Sequence, residues 1–301
     1  MVKWLRRGLV AWVLARLLGP AVTPSFRPGQ EHPWRVPGRT VFVGDNEFLV
    51  REVGDPEAPP IVLLHGLAGS SLAEWYRVGR LLATTHRVVI VDNRSHGLSP
   101  QSRGRFEVED VADEVAAILD ILEVGPATVV GYSMGGTIAQ ALAYRHPGRV
   151  KALVLIATFA GHPRLHRLFR VAGLMLARGW ERLTGTGTPE VRFAYLLGTG
   201  AVDREHARWL WEETHRRDPD AGAQAAFAMM RFDGREWLGR LKLPVTVVIP
   251  SRDQLVPPLW QYRLAGELAD AEVVEVAGAR HELPWTHPEL VAEVIERAAK
   301  V

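Results

Sequence analysis

The twelve residues 128–139, TVVGYSMGGTIA, constrain this chain more than any other stretch. A β-branched run enters, Gly131-Tyr132-Ser133-Met134-Gly135 turns the chain, and helix-forming residues leave. That is the strand, tight turn and helix context in which a G-x-S-x-G motif acts as a nucleophile elbow, lifting a serine off the end of a sheet. Glycines two residues before and two after Ser133 remove the Cβ atoms that would collide where strand and helix cross, and Gly136 extends that clearance. The N-terminus of the following helix points unpaired N–H groups and a positive dipole end at charge developing beside the serine oxygen. Such a geometry suits acyl transfer.

From residue 40 the pattern alternates strand and helix, which predicts a mostly parallel sheet covered by helices. Strands are expected at about 40–43, 47–53, 61–65, 88–92, 127–132, 151–157, 245–250 and 272–277, and helices near 72–83, 108–122, 134–146, 258–268 and 288–299. Gly44-Asp45-Asn46 is a hairpin signal, so the sheet should begin antiparallel and continue parallel. Between 161 and 241 the strand rhythm stops, and helical spacing with many aromatics, Trp180, Phe193, Tyr195 and Trp209 among them, points to an inserted helical cap. The expected organisation is a basic apolar helix and linker at 1–39, an α/β core at 40–161 and 241–301, and a cap at 162–240.

At 301 residues the chain can hold one such core plus an insertion. It has no cysteine, which excludes disulfides, a thiolate nucleophile and Cys-ligated metal. Residues 1–39 carry seven Lys/Arg against Glu31, net +6, so the overall +2 leaves 40–301 at −4. The basic pI belongs to the tail, and no nucleic-acid partner is expected. Residues 1–20 have a cationic start and an apolar run interrupted by Arg16, too short to span a bilayer and a poor signal peptide. They are read as a helix at a membrane surface, with a helix packed on its own protein and a signal or signal-anchor as the alternatives, so the protein is expected in the cytoplasm or at a membrane face rather than outside the cell. Five prolines in 20–39 suggest an extended linker.

Two loops supply further chemistry. The third strand runs into His65-Gly66-Leu67-Ala68-Gly69-Ser70, a glycine-containing loop at a strand's C-terminal edge, where backbone N–H groups can face a ligand. His65 is expected to brace that loop rather than move protons. The fourth strand ends in Asp92-Asn93-Arg94, where an ion pair holding the loop is favoured over a charged-substrate site.

HGLAGS after one strand, DNRSHGLS after the next, GYSMGG at the elbow, SRDQLVPP after a late strand and GARHEL near the end occur in this order. In these features the chain resembles the α/β-hydrolase fold superfamily, of the cap-bearing serine esterase and lipase kind, over about 40–301 except the cap. Ser95 departs from the glycine many relatives carry there, while Gly97 is kept. The resemblance implies an eight-stranded sheet, Ser133 as nucleophile, Asp253 as acid and His281 as base, with the Leu67 and Met134 N–H groups as oxyanion donors. His287 is the alternative base, but it reads as the start of the last helix. Glu282, adjacent to His281, is poorly placed to orient the far ring nitrogen. The expected substrate is a lipophilic or acylglycerol-like carboxylic ester of small to medium acyl size, cleaved without metal or organic cofactor. The alternatives are thioester hydrolysis, C–C cleavage or perhydrolysis by the same triad, and a non-catalytic ligand-binding protein on this fold.

Overall fold

The computed structural model describes residues 33–67, 69–99, 105–161, 172–173, 175–176, 179, 188–215 and 219–300. The expected N-terminal helix, most of the linker and the first part of the expected cap, Trp180 included, lie outside the described residues.

Eight strands form one sheet: β1 (Arg39–Val43), β2 (Asn46–Val53), β3 (Pro60–Leu64), β4 (Arg87–Val91), β5 (Ala127–Tyr132), β6 (Val150–Ile156), β7 (Val245–Pro250) and β8 (Glu272–Val276). Their order across the sheet is β1-β2-β4-β3-β5-β6-β7-β8. The hairpin at Gly44 makes β1 and β2 antiparallel as expected, but β2 also runs antiparallel to its other neighbour, β4. From β4 across to β8 every pair is parallel.

The central strands are apolar almost throughout because both faces of a parallel sheet are covered. Side chains alternate with period two. Val62 and Leu64 of β3 join one core cluster, with α2 (Val108–Ile121), α3 (Met134–Arg145) and α7 (Pro258–Glu267) against that face. Ile61 and Leu63 join the other, beneath α1 (Ser71–Leu82) and α9 (Pro288–Ala299), where Trp75, Leu82 and Ile295 are fully buried. Each such large side chain contributes about 1.5–3 kcal/mol of burial. Trp34, from the segment expected to be linker, packs on this face too, its ring against Gly79.

The described residues between β6 and β7 include three helices, α4 (Thr188–Gly198), α5 (Ala207–His215) and α6 (Pro219–Arg231). α5 leans on α1 through Trp209, whose ring meets Tyr76 edge-on with centroids 5.5 Å apart. A salt bridge of 2.8 Å from Arg77 to Asp203 adds a second tie. A short helix, α8 (Leu283–Thr286), precedes α9, and His287 caps the latter, the place its sequence context suggested.

Asp92 and Arg94 do not pair with each other. Asp92 accepts from Ser71 N (2.7 Å), Ser71 Oγ (2.6 Å) and Leu98 N (3.0 Å) and faces Arg51 at 3.4 Å. Burial works to raise its pKa, but Arg51, His65, the Leu98 amide and Ser71 together hold the carboxyl below its ordinary value. Arg94 instead reaches Glu114 on α2, with a 2.7 Å bond from Nε and a second contact from its terminal nitrogen. Burial outweighs that partner and raises the Glu114 pKa. A turn after β4, with His96 N on Asn93 O (3.0 Å), follows Asp92, and the two side chains serve different elements.

Candidate active site

Ser133 stands between β5 and α3 with φ 52° and ψ −114°, a left-handed conformation that costs a non-glycine residue about 1–3 kcal/mol. The surroundings over-determine it. Ser133 N donates to Ile156 O (2.9 Å), and its carbonyl accepts from Gly136 N (3.0 Å) and Thr158 Oγ1 (2.8 Å). The crossing leaves no room for side chains at the flanking glycines: a Cβ on Gly131 would sit 2.3 Å from Gly135 O, and one on Gly135 2.1 Å from Leu64 O.

β7 and β8 bring up the other two predicted residues. Their loops are stapled to each other, with Ser251 N to Val276 O (3.1 Å), Arg252 N to Ala279 O (2.8 Å) and Gly278 N to Ser251 Oγ (2.8 Å). Asp253 then lies across from His281, whose Nδ1 is 2.8 Å from Asp253 Oδ2 and whose Nε2 is 3.2 Å from Ser133 Oγ. Asp253 Oδ1 is taken by the amides of Leu255 and Val256, both at 2.9 Å. Because a carboxylate only accepts, His281 Nδ1 carries the proton in that contact, leaving Nε2 free to accept from the serine hydroxyl. All three residues are buried.

Three contacts around this line were not legible in sequence. Gln261 on α7 donates to Asp253 Oδ2 (3.0 Å) and to Val256 O (2.7 Å), holding the acid from behind. The Tyr132 ring lies 5.1 Å from that of His281 and meets Trp285 edge-on at 5.8 Å, walling in the imidazole. Burial, reinforced by surrounding carboxylates, raises the Tyr132 hydroxyl well above its ordinary range, so it stays neutral. Glu282 serves Tyr195 of α4 rather than His281, and burial together with that hydrogen bond pushes Tyr195 up to about 12. Each partner comes from a different element, at spacings that carry no motif.

The loop after β3 is held by side chains. Asn93 N donates to His65 Nε2 (3.0 Å), so His65 carries its proton on Nδ1 and donates to Gly66 O (2.8 Å). This is the bracing role expected of it. Leu67, proposed from sequence as one oxyanion donor, sits in that loop. Met134, the other, is the first residue of α3, where a helix leaves its N–H groups without intrahelical acceptors.

Ligand atoms of Asp203, Glu205 and His206 lie within 4.8 Å of one another ahead of α5, but Asp203 and Glu205 are exposed and Asp203 is already paired with Arg77.

Residues 59–185 match a family described as alpha/beta hydrolase fold. The chain is 35% identical over 238 residues to the pimeloyl-[acyl-carrier protein] methyl ester esterase of Chromobacterium violaceum, covering 75% of this chain and 88% of that protein. It is 29% identical to "Putative carbamate hydrolase RutD" of Caulobacter segnis, covering 77% and 88% respectively. Among solved structures, the enol-lactonase of Burkholderia xenovorans superposes with TM-score 0.75 at 23% identity, over 87% of this chain and all of that one, a likeness of fold.

Proposed function

The chain belongs to the alpha/beta hydrolase family, and from that premise we propose that it is a serine hydrolase cleaving carboxylic esters through an acyl-serine intermediate. The observation that carries this reading is the continuous line from Ser133 Oγ through His281 to Asp253, at 3.2 and 2.8 Å, with the serine in a strained backbone conformation that the fold maintains.

In this reading His281 Nε2 takes the hydroxyl proton as Ser133 Oγ attacks the acyl carbon, and Asp253 stabilises the imidazolium that forms. The carbonyl π electrons move to oxygen, and the resulting anion accepts from Leu67 N–H and Met134 N–H. As the tetrahedral intermediate collapses, the bond to the alkoxy oxygen breaks and His281 returns the proton to it. A water molecule then attacks the acyl-serine, giving a proton to His281; as this second tetrahedral intermediate collapses, the acyl carbon–Oγ bond breaks, His281 returns the proton to Ser133 Oγ and the acid leaves. Donors placed in advance need no reorganisation as charge develops, and each one is worth on the order of 10²–10³ in rate.

In the same reading the described helices α4–α6 belong to the cap expected at 162–240, over this site. The aromatic and aliphatic side chains of α4–α6, such as Phe193 against Trp211, favour an uncharged, lipophilic acyl or alcohol part. A methyl ester is the substrate named for the Chromobacterium relative, which makes small alkyl esters the first compounds to test. The experiment is active-site labelling with a fluorophosphonate, followed by a panel of p-nitrophenyl and methyl esters of graded acyl length with thioester counterparts. Labelling at Ser133 and turnover of the oxygen esters are expected. A chain that neither labels nor hydrolyses any of them is not a serine esterase.

A further inference from the structure

α4 reaches over to the loop after β3 through one side chain. Arg192 Nη1 donates to Leu67 O (2.7 Å), while its Nη2 meets Glu74 Oε1 at 2.6 Å. Glu74, on the first turn of α1, is 1% exposed, and its second oxygen accepts from Gly66 N at 2.5 Å. With His65 Nδ1 on Gly66 O, three of the four backbone polar groups of Gly66 and Leu67 are thus held by side chains. The fourth, Leu67 N–H, makes no hydrogen bond to any described residue. Because the peptide unit is planar, pinning Gly66 O fixes the direction of the Leu67 N–H in the same plane, while holding Gly66 N and Leu67 O steadies the backbone on either side of it.

A carboxylate as buried as Glu74 is costly unless paired, and its partner here comes from a segment more than a hundred residues later in the chain. Arg192 is suited to this, because a planar guanidinium presents separate donors to two acceptors in fixed geometry. α5, against which α4 packs through Phe193 and Trp211, is tied to α1 independently, by Arg77 to Asp203 just ahead of α5 and by Ser70 Oγ to Glu213 (2.6 Å). Helix docking therefore does not depend on Arg192 alone, and its contact with Leu67 O needs a reason of its own.

We infer that Arg192 and Glu74 are positioning residues: they form a clamp by which α4 holds the backbone on either side of the Leu67 N–H, the Gly66 amide through Glu74 and the Leu67 carbonyl through Arg192, so that the oxyanion site is complete when this helix is docked. The inference rests on the ester-hydrolase reading and adds a residue from the inserted segment to its machinery. An interaction of this kind acts on the transition state, where the oxyanion exists, and leaves ground-state binding almost untouched.

The test compares the full chain with Arg192→Ala, Arg192→Lys and, as a control for helix docking, Asp203→Asn, on a soluble short-chain p-nitrophenyl ester. Arg192→Lys keeps a cation for Glu74 and so keeps the fold, but one ammonium cannot serve both acceptors in the same geometry. Both Arg192 variants should lose on the order of 10- to 100-fold in kcat, with KM within about threefold of wild type. Their affinity for a trifluoromethyl ketone, which forms a tetrahedral adduct, should fall in parallel. Added guanidinium at millimolar concentration should restore part of the kcat of Arg192→Ala and nothing in Asp203→Asn, which should turn over at the wild-type rate. Wild-type kcat in Arg192→Lys, or a loss confined to KM, overturns the clamp while leaving the esterase reading standing. An inert wild-type chain would overturn both, and the fluorophosphonate result separates the two cases.

Discussion

Leu64 holds its carbonyl oxygen 2.1 Å from the point where a Cβ on Gly135 would lie. The obstacle is backbone on the central strand β3, which cannot swing aside as a side chain can. Gly135→Ala should therefore cost more than about 3 kcal/mol, because the elbow must shift to relieve the overlap. Denaturant melting is the measurement. At Gly148, where an added Cβ would meet no atom within 4 Å, the same substitution should be close to neutral.

Ser133→Ala should abolish ester hydrolysis, with a loss on the order of 10⁶-fold in kcat and an unchanged circular dichroism spectrum. Ser133→Gly should be equally inactive yet more stable by about 1 kcal/mol, since glycine occupies φ 52° without the strain. Retention of more than about a hundredth of the activity in either variant would count against Ser133 as nucleophile.

Asp253→Asn preserves shape but presents an amide to His281 Nδ1, favouring the wrong tautomer and costing on the order of 10⁴-fold in kcat. Gln261→Leu should cost far less, on the order of 10-fold, because the amides of Leu255 and Val256 still hold Asp253 Oδ1. A loss with Gln261→Leu equal to that of Asp253→Asn would show that the two backbone bonds do not suffice to orient the acid.

Asp92 ties Arg51, Ser71 and the Leu98 amide together, and its folded-state pKa lies below the ordinary 3.8. A depressed carboxylate contributes stability that is fully present above the unfolded value and is lost as pH falls through the folded one. Asp92→Asn should accordingly destabilise the fold at neutral pH by about 3–5 kcal/mol, since the buried Arg51 loses its counter-charge. The difference from wild type should shrink only once pH falls below 3.8. Urea unfolding at a series of pH values measures this. A gap that persists unchanged down to about pH 2, below the unfolded carboxylate range, would mean the pair is not the source.

The +6 charge and short apolar run of residues 1–39, ahead of a body of net −4, motivate a hypothesis of contact with an anionic membrane surface. Among the described residues no helix is long and apolar enough to cross a membrane. A chain beginning at Pro33, which retains Trp34 against α1, should hydrolyse a soluble ester at nearly the full-length rate. It should co-sediment less with phosphatidylserine vesicles, the difference fading as salt rises. Equal sedimentation of both chains rejects the membrane role.

The residues of the sheet and the elbow were legible because their causes are local. A short apolar run such as 61–64, bounded by Pro59-Pro60 and Gly66, reads as a buried strand, and Gly131 and Gly135 around Ser133 mark a turn too tight for side chains. The order of Ser133, Asp253 and His281 along the chain, each at the end of a strand, was likewise written in the sequence, since strand ends on one edge of a parallel sheet converge. The antiparallel pairing of β2 with β4, the separate partners of Asp92 and Arg94, and the support of Asp253 by Gln261 were decided only by tertiary packing. The clearest case is Glu74. In sequence it is an acid in a helix's first turn, a place any solvent-facing glutamate could occupy. Only the folded chain brings Arg192 across 118 positions to neutralise it beside Leu67, because desolvating a carboxylate that deeply requires a partner which no local pattern specifies.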